Sequence, residues 1–255
     1  MNETTPSLDS SEVERYARHI ILRDIGGPGQ LKLKQARVLV VGAGGIGSPV
    51  LQYLAAAGIG TIGIVDDDKV TLSNLQRQII HGTSDIEQLK VDSAEAGITQ
   101  LNPHVNVVSY PLRLTQNNAR DIISQYDIIV DGSDNFETRY LVADTCLVEK
   151  KPLITAALGQ FDGSITTIKG YEKSAQGQLN PTFRCIFPER SDSLTVLPTC
   201  STAGIIASLP GIIGSMAATE VIRELTGFGS DLIGRLILID TYHMRFETIK
   251  YKRNT

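Results

Sequence analysis

The segment from Arg37 to Asp66, RVLVVGAGGIGSPVLQYLAAAGIGTIGIVD, constrains the fold more than any other part of this chain. It opens with β-branched residues of the kind found in a strand buried on both faces, and a Gly-x-Gly-x-x-Gly turn follows. An apolar stretch at helical spacing and a second β-branched run then lead to Asp66. This order predicts a strand–helix–strand unit of a Rossmann-like sheet.

Each glycine of the turn has a separate task in such a unit. Gly42 permits the tight turn, Gly44 lets the backbone approach a phosphate, and Gly47 allows the helix to pack closely on the strand. The helix N-terminus supplies free N–H groups and the positive end of a dipole, and Asp66 is placed to accept hydrogen bonds from ribose hydroxyls. The motif predicts nucleotide binding. It does not separate ATP from NAD, so an NAD-dependent oxidoreductase stays an alternative.

Composition narrows the class of protein. A length of 255 residues with 42% apolar residues favours one large α/β domain, and a net charge of −4 argues against nucleic acid as the main partner. Three cysteines without a Cys-x-x-Cys pair, and no signal peptide, indicate the reducing cytoplasm. Residues 200–219 carry no charge, but Pro210 and many small residues favour a buried helix over a membrane span.

The order of elements predicts the architecture. Strands and helices alternate up to Thr155, which predicts a mainly parallel sheet with helices on both faces. Longer strands at 161–169 and 236–250 are expected to extend this sheet as antiparallel strands, with a long apolar helix over about 203–225 between them. We find no linker and predict one domain over residues 1–255, with a nucleotide-binding half of about 35–158 and a second half of about 159–255.

Three local features carry expectations of their own. Ser10 or Ser11 is expected to cap a helix that runs to about Leu22. The sequence Ile25-Gly-Gly-Pro-Gly29 is typical of a turn. Asp134 and Glu137 have the spacing of a capping box at the start of a helix that ends near Val148.

Several further motifs occur in a characteristic order along the chain. With them the sequence resembles, over nearly its whole length, the ThiF/MoeB (HesA) family, the bacterial relatives of ubiquitin-activating enzymes. The matching motifs are Arg15-Tyr-Ala-Arg18-His-Ile-Ile-Leu-Arg23, Gly42–Gly47, Asp66-Asp-Asp68, Ser73-Asn-Leu-Gln-Arg77-Gln, Lys90, Asp131-Gly-Ser-Asp134-Asn135, and Cys200 followed by the Ala-Gly helix.

The resemblance implies an ATP-dependent homodimer that adenylates the C-terminal glycine of a small ubiquitin-like sulfur carrier ending in Gly-Gly. It also implies a crossover loop and carrier-binding strands in the second half of the chain. Other carboxylates, such as a peptide terminus, stay open as substrates, whereas the low basic content weighs against a modified tRNA base. A non-catalytic adaptor is a further alternative, which the intact set of polar residues argues against.

Adenylation needs positive charge around the phosphates of ATP. Arg77 and Lys90 are suitable cations and Asn74 is a neutral donor. The resemblance places these three at the phosphates and places the Gly42–Gly47 turn, including Gly45, and the Asp66–Asp68 acids at the nucleotide. The alternative is that these polar residues form a solvated helical face.

Asp134 follows the end of a strand, where open parallel sheets bind their ligands. The resemblance makes it the Mg²⁺-binding acid, beside Asn135. A helix cap would commit the same carboxylate to backbone amides, so the two interpretations compete. Asp131 is expected only to support the site.

Two further residues take their roles from the resemblance. It directs Arg18 across the dimer interface into the partner's ATP site, against the alternative of a surface pair with Glu14 at i,i+4. It makes Cys200 a candidate acceptor of the activated acyl group, against the alternative of a small core residue. A helix starting near Ala203 would lower the pKa of the Cys200 thiol, and apolar burial would raise it.

The chain departs from the family at zinc. Many relatives hold a zinc ion with two Cys-x-x-Cys pairs, whereas this chain has Thr182-Phe-Arg-Cys185 at the first position and ends where the second would begin. One thiolate cannot form a tetrahedral structural site. We therefore predict that the protein holds no structural zinc.

Overall fold

A computed structural model of the chain describes residues 7–188 and 204–254. Its strands are β1 (Arg37–Val41), β2 (Thr61–Val65), β3 (Asn106–Tyr110), β4 (Ile128–Asp131), β5 (Leu153–Leu158), β6 (Asp162–Ile168), β7 (Arg235–Asp240) and β8 (Arg245–Lys250). The helices described are α1 (Ser10–Arg15), α2 (Ala17–Ile20), α3 (Gly26–Gln35), α4 (Gly47–Ala57), α5 (Lys90–Leu101), α6 (Ala119–Ile123), α7 (Phe136–Val148), α8 (Phe183–Ile186) and α9 (Leu209–Thr226), with 3₁₀ turns at Leu72–Asn74 and Thr83–Asp85.

All eight strands belong to one sheet, in the order β3-β2-β1-β4-β5-β6-β7-β8. Strands β1 to β5 pair in parallel, whereas β6, β7 and β8 add on as antiparallel strands. The predicted fold class is confirmed. The chain moves outward from β1 to β2 and β3 and returns to the other side of β1 at β4. The crevice beyond the carboxyl ends of β1 and β4 is therefore the topological switch point, where such sheets bind ligands.

Helices cover both faces of the sheet because successive side chains of a strand point to opposite faces. Val38 and Val40 pack into one apolar core with residues of α4, α5 and α9. Leu39 and Val41 pack into a second core with residues of α6 and α7. These side chains are 0–4% exposed, as the continuous β-branched run predicts for a central parallel strand.

The N-terminal segment differs from its prediction. The cap is Asp9, whose side chain accepts hydrogen bonds from the amides of Ser11 and Glu12. The helix is interrupted at Tyr16 and does not run on to Leu22. Tyr16 is 4% exposed and lies so close to Gly58 that a Cβ atom there would be 2.4 Å from its Cζ atom. Burial of this ring outweighs the local preference for a continuous helix.

The expected turn at residues 25–29 is wrong, because helix α3 begins at Gly26. Pro28 lies in the first helical turn, where a missing amide breaks no intrahelical bond. Gln30 and Leu33 are both fully buried, and the Gln30 amide donates to the carbonyl oxygen of Ala57 at 2.7 Å. These tertiary contacts compensate for the glycines at the start of the helix.

The long apolar helix also starts later than expected, at Leu209 and not near Ala203, which lies outside the described residues. It packs closely on α4, since a Cβ atom on Gly214 would lie 2.3 Å from Pro49 Cγ.

No helix in the described part of the chain is long and apolar enough to cross a membrane. The expected strand over 236–250 is two strands, β7 and β8, which pair as a hairpin.

Helix α7 is capped one residue later than predicted. The side chain of Asn135 accepts a hydrogen bond from the amide of Thr138 at 2.9 Å, so Asn135 and not Asp134 is the N-cap. Asp134 is exposed, and its Oδ1 lies 3.4 Å from the side-chain nitrogen Nδ2 of Asn135. Asp and Asn cap helices about equally well, which is why the pattern could not choose between them. Capping therefore does not compete for the carboxylate of Asp134.

Substitutions at Asn135 and Asp134 should show which of the two residues stabilises the helix as its cap. We expect Asn135→Ala to lower the free energy of unfolding by about 1 kcal/mol because the Thr138 amide loses its acceptor. Asp134→Ala is the matched control and should leave stability close to wild type. Urea denaturation followed by far-UV circular dichroism measures both. Equal losses, or a larger loss for Asp134→Ala, would contradict the assigned cap.

Candidate active site

The turn after β1 is built so tightly that two of its glycines cannot be replaced without strain. Gly42 has a φ of +93°, in the left-handed region. A Cβ atom on Gly47 would lie 1.9 Å from the carbonyl oxygen of Gly42. Both observations agree with the roles that the motif predicts for its first and third glycines. The turn therefore brings the N-terminus of α4 close to the end of β1.

The middle of the turn faces two other parts of the chain. A Cβ atom on Gly45 would lie 3.3 Å from Pro210 at the start of α9 and 3.9 Å from Cδ of Arg77. A Cβ atom on Gly44 would lie 3.6 Å from the side-chain nitrogen Nε2 of Gln78. Arg77 is thus brought beside the glycine turn from a segment about 30 residues later in the sequence, as a phosphate-binding role requires.

The carboxylate of Asp66 holds the glycine turn. Its Oδ2 accepts from the amide of Ala43 at 2.8 Å, and its Oδ1 accepts from the amide of Asp68 at 2.9 Å. The side chain is 9% exposed. Burial raises the pKa of Asp66 above its ordinary value, while the charge of Lys90 and the two amides act in the opposite direction. Each oxygen keeps a second lone pair, so the carboxylate can still accept from a ribose hydroxyl.

Lys90 lies at the start of α5 and compensates the acids after β2. Its Nζ is 2.7 Å from Oδ2 of Asp68 and 3.9 Å from Oδ1 of Asp66. Lys90 is 5% exposed, so it is not part of a solvated helical face. An ammonium group has three N–H donors, and the hydrogen bond to Asp68 leaves two for further acceptors such as phosphate oxygens.

Asn74 and Arg77 are held by their own segment. The Asn74 side-chain oxygen accepts from the amide of Thr71 at 3.2 Å, which closes the 3₁₀ turn. Nη1 of Arg77 donates to the carbonyl oxygen of Ser73 at 3.3 Å. Both side chains are half-buried. The turn therefore fixes the direction in which the Arg77 guanidinium extends.

The loop after β4 lies directly against the glycine turn. The carbonyl oxygen of Gly132 is 3.2 Å from where a Cβ atom on Gly42 would lie. Asp131 is buried and accepts from the Ser133 amide at 3.0 Å, the Ser133 hydroxyl at 2.6 Å and the Thr155 hydroxyl at 3.2 Å. Asp131 thus shapes the loop, and Asp134 extends from its end as a carboxylate open to solvent. A carboxylate with room for water suits Mg²⁺, which keeps several waters and binds few protein oxygens.

Arg18 lies away from this group of residues. It is exposed on α2 and lines a cavity of about 530 Å³ together with Tyr53, Ser215 and Thr219. The alternative pair with Glu14 is absent, since no ion pair within residues 7–188 and 204–254 includes Arg18. The structure thus does not join Arg18 to the glycine turn of its own chain.

Cys200 lies outside the described residues. Helix α9 begins at Leu209, nine residues after Cys200, so its N-terminus is not adjacent to this thiol in the sequence. Cys185 is half-buried, with its Sγ atom 3.4 Å from both the amide and the hydroxyl oxygen of Thr182. Burial raises the pKa of this thiol, but hydrogen bonds from Thr182 and Asn254 and the charge of Arg253 outweigh burial and lower it.

Metal-ligating side chains cluster at one place in the described part of the chain. Asp66, Asp67 and Asp68 form the single group of three or more such residues there, with ligand atoms within 4.8 Å of one another. Cys185 belongs to no such group. The prediction about zinc concerns the whole protein and stays a prediction.

Two residues of the site were missed in the sequence. Gln78 is 5% exposed and has a buried side-chain oxygen without a hydrogen-bond partner, and His81 is 7% exposed with Nε2 3.0 Å from the carbonyl oxygen of Ala43. Burial lowers the pKa of His81, and the charge of Lys90 acts in the same direction. Their only signal in the sequence is that polar residues flank Ile79 and Ile80 just after Arg77.

The sheet order and the polar loops at its switch point define a Rossmann-like α/β enzyme with a site beyond β1 and β4. The model of the ThiF family matches residues 16–255. The chain therefore belongs to the ThiF family, and it is an adenylyltransferase.

The relatives agree with this assignment. The chain is 44% identical over 243 residues to the sulfur carrier protein adenylyltransferase of Thermus thermophilus. This alignment covers 95% of this chain and 89% of that protein. It is 43% identical over 250 residues to the SAMP-activating enzyme E1 of Haloferax volcanii, covering 98% of this chain and 89% of that protein. A crystal structure of E. coli MccB with ATP has the same fold, with a TM-score of 0.76 at 20% identity over 89% of this chain and 67% of MccB.

The pairing of Lys90 with buried Asp66 predicts a pH-dependent loss of stability. In Lys90→Met the ionised Asp66 would lose its nearby cation, so its already raised pKa should rise further. A raised carboxyl pKa costs stability above that pKa, and the cost disappears as pH falls through it. We therefore expect Lys90→Met to be less stable than wild type by about 1–3 kcal/mol at pH 7, with a smaller deficit in acid.

Urea denaturation between pH 4 and pH 8 measures this difference. The matched control is Lys69→Met, which removes an exposed lysine that directly follows the three acids. A deficit for Lys90→Met that is independent of pH would show that Lys90 contributes packing and not charge compensation.

Proposed function

We propose that this chain uses ATP and Mg²⁺ to adenylate the C-terminal glycine of a small ubiquitin-like sulfur carrier ending in Gly-Gly. The observation that carries the proposal is that Arg77 lies beside the glycine turn and Lys90 lies beside Asp66, whose carboxylate binds the same turn. Two cations beside a phosphate-binding turn supply what the reaction needs. NAD chemistry would use the glycine turn but leaves Arg77 and Lys90 without a task.

The reaction assigns one task to each group. A carboxylate oxygen of the carrier attacks the α-phosphorus of ATP, and the bond from that phosphorus to the pyrophosphate oxygen breaks. Negative charge builds on the departing pyrophosphate, and Arg77, Lys90 and the amide of Asn74 are the donors that stabilise it. The amides of Gly44, Gly45 and Gly47 would contact the phosphates, and Asp66 would accept from the ribose.

Magnesium fits the residues at the end of the β4 loop. Asp134 would bind it, since its carboxylate is exposed and does not cap helix α7. Asn135 and Asp68 are proposed to contact the nucleotide beside it. When bound, Mg²⁺ neutralises charge on the phosphates. The main contribution of the chain is to hold Asp134 at the end of a loop that Asp131 fixes internally.

The identity of the carrier is inferred from the relatives. The sulfur carrier protein adenylyltransferase and the SAMP-activating enzyme E1 are both matched over 89% of their length. The antiparallel strands beyond β5 are the proposed carrier-binding part, and Phe246 and Ile249 of edge strand β8 are exposed apolar side chains suited to protein contact. The single sheet that joins both halves supports one adenylation domain over residues 1–255.

A homodimer would complete the site with Arg18 from the partner. Exposed apolar side chains near Arg18, namely Val13, Ile21, Leu22 and Tyr53, favour contact with another protein surface. Arg18 would then supply a third cation to the ATP site across the interface.

The location and the acyl-transfer step stay predictions. Cys146 and Cys185 are free thiols, which fits a cytoplasmic enzyme. Cys200 is the candidate acceptor of the activated acyl group. Since acyl transfer follows adenylation, Cys200 would be dispensable for pyrophosphate exchange.

Pyrophosphate exchange tests the adenylation directly. With a carrier ending in Gly-Gly and Mg-ATP, the wild-type protein should exchange labelled pyrophosphate into ATP and produce a carrier heavier by one adenylyl group in intact-mass spectra. Arg77→Ala should lower the exchange rate by about 10²–10³-fold, because one donor to developing charge is lost. Arg113→Ala, a surface arginine paired with Glu137 at 3.7 Å, is the control.

Two outcomes would count against the proposal. Wild-type exchange rates in Arg77→Ala would remove that residue from the site. Adenylation of a peptide terminus but of no carrier would identify the activity and correct the substrate.

Mixed dimers test the role of Arg18. Arg18→Ala and Asp134→Ala should each be inactive alone, whereas dimers containing one chain of each kind would have one complete site and regain part of the activity. Arg15→Ala serves as the control, since Nη1 of Arg15 donates to the carbonyl oxygen of Leu101 in its own chain at 2.9 Å. No recovery in dimers shown by mass to be mixed would place Arg18 outside the partner's site.

A further inference from the structure

A chain of three short contacts links the surface to the backbone of the glycine turn through His81. Nε2 of His81 lies 3.0 Å from the carbonyl oxygen of Ala43, and Nδ1 lies 2.8 Å from Oγ of Ser93. Oγ of Ser93 lies 2.8 Å from Oδ2 of Asp85. Both His81 and Ser93 are buried, at 7% and 3% exposure. None of these contacts has a task in the adenylation chemistry described above.

The three contacts require three hydrogen atoms, but the neutral groups hold two. Neutral imidazole carries one N–H, Ser93 carries one O–H, and ionised Asp85 carries none. Asp85 stays ionised because the amide of Gly82 and the hydroxyl of Ser84 hold its pKa below the ordinary value. One contact therefore lacks a hydrogen. Its position decides which nitrogen of His81 is protonated.

The contact without a hydrogen is the one between Ser93 and Asp85. The Ala43 carbonyl can only accept, so an unprotonated Nε2 would place two lone pairs 3.0 Å apart in a buried setting. Oδ2 of Asp85 has another donor, the Gly82 amide at 2.7 Å, and Asp85 is only half-buried. Ser93 therefore donates to Nδ1 of His81, and Nε2–H donates to Ala43.

The peptide group between Ala43 and Gly44 is the point at which this bond acts. A peptide unit is planar and trans, so fixing the carbonyl of Ala43 also fixes the direction of the Gly44 N–H, which points the opposite way. Asp66 holds the amide of Ala43 at 2.8 Å. The two peptide groups that flank Ala43 are thus fixed by two different side chains from later elements.

We propose that His81, in its Nε2–H form, is a positioning residue that orients the Gly44 amide toward the phosphates of ATP. The inference rests on the proposed function, because the glycine turn matters here as a nucleotide site. His81 does not touch the nucleotide. It acts through the Ala43 carbonyl, and the hydroxyl of Ser93 holds its ring.

Two substitutions at His81 distinguish the contribution of Nε2 from that of Nδ1. The side-chain nitrogen of glutamine can reach the place of Nε2, whereas that of asparagine reaches only the place of Nδ1. We expect His81→Gln to bind Mg-ATP within about twofold of wild type and His81→Asn to bind up to about tenfold more weakly, since one net hydrogen bond contributes about 0.5–1.5 kcal/mol. Isothermal titration with Mg-ATP measures both, with urea denaturation to confirm that each variant is folded. The same substitutions at exposed His104 are the controls.

The tautomer can be read in the wild-type protein without any variant. Because burial lowers the pKa of His81, its ring is neutral above pH 7, and ¹⁵N-detected histidine spectra should show a proton on Nε2 and none on Nδ1. A proton on Nδ1, or equal ATP affinities for His81→Gln and His81→Asn, would overturn the proposal. Failure of the wild-type protein to bind Mg-ATP would instead refute the proposed function and leave the tautomer result intact.

Discussion

The structure depends on the close approach between the turn after β1 and the loop after β4. Gly42 and Gly47 meet through one carbonyl oxygen, and the Gly132 carbonyl fills the space where a side chain on Gly42 would lie. Two loops this close leave no room for side chains between them. The polar groups that reach the crevice must therefore come from its rim, which is where Arg77, Lys90 and Asp134 lie.

Charge compensation between buried Lys90 and the acids after β2 organises one side of this rim. Three carboxylates follow β2, and Lys90 is the cation that approaches two of them. Asp66 is the most buried of these acids. Its oxygens accept from the backbone amides of Ala43 in the glycine turn and Asp68 in the acidic loop. A single carboxylate thus connects the glycine turn to the acidic loop, and the charge of a single lysine offsets part of the effect of burial on its pKa.

The sequence predicted those parts of the fold that local pattern determines. The β-branched run of β1 and the alternation of strands and helices define the parallel sheet, because burial on both faces demands such a pattern. The start of α3 was missed because its support is the burial of Gln30 and Leu33, which local sequence does not reveal. The cap of α7 was misplaced by one residue because neighbouring Asp and Asn offer equivalent oxygens. His81 was missed because its partner, Ala43, is 38 residues away along the chain.

The position of Asn135 next to Asp134 has a consequence for how this chain can change over evolutionary time. Asn135 caps the helix and the proposed chemical role belongs to its neighbour, so a change at Asp134 need not expose the chain to unfolding or degradation. Descendants that lose the proposed metal-binding carboxylate could persist as folded, inactive subunits. In a dimer with shared sites, such subunits would be raw material for a regulatory partner, because they could still present Arg18 to an active neighbour.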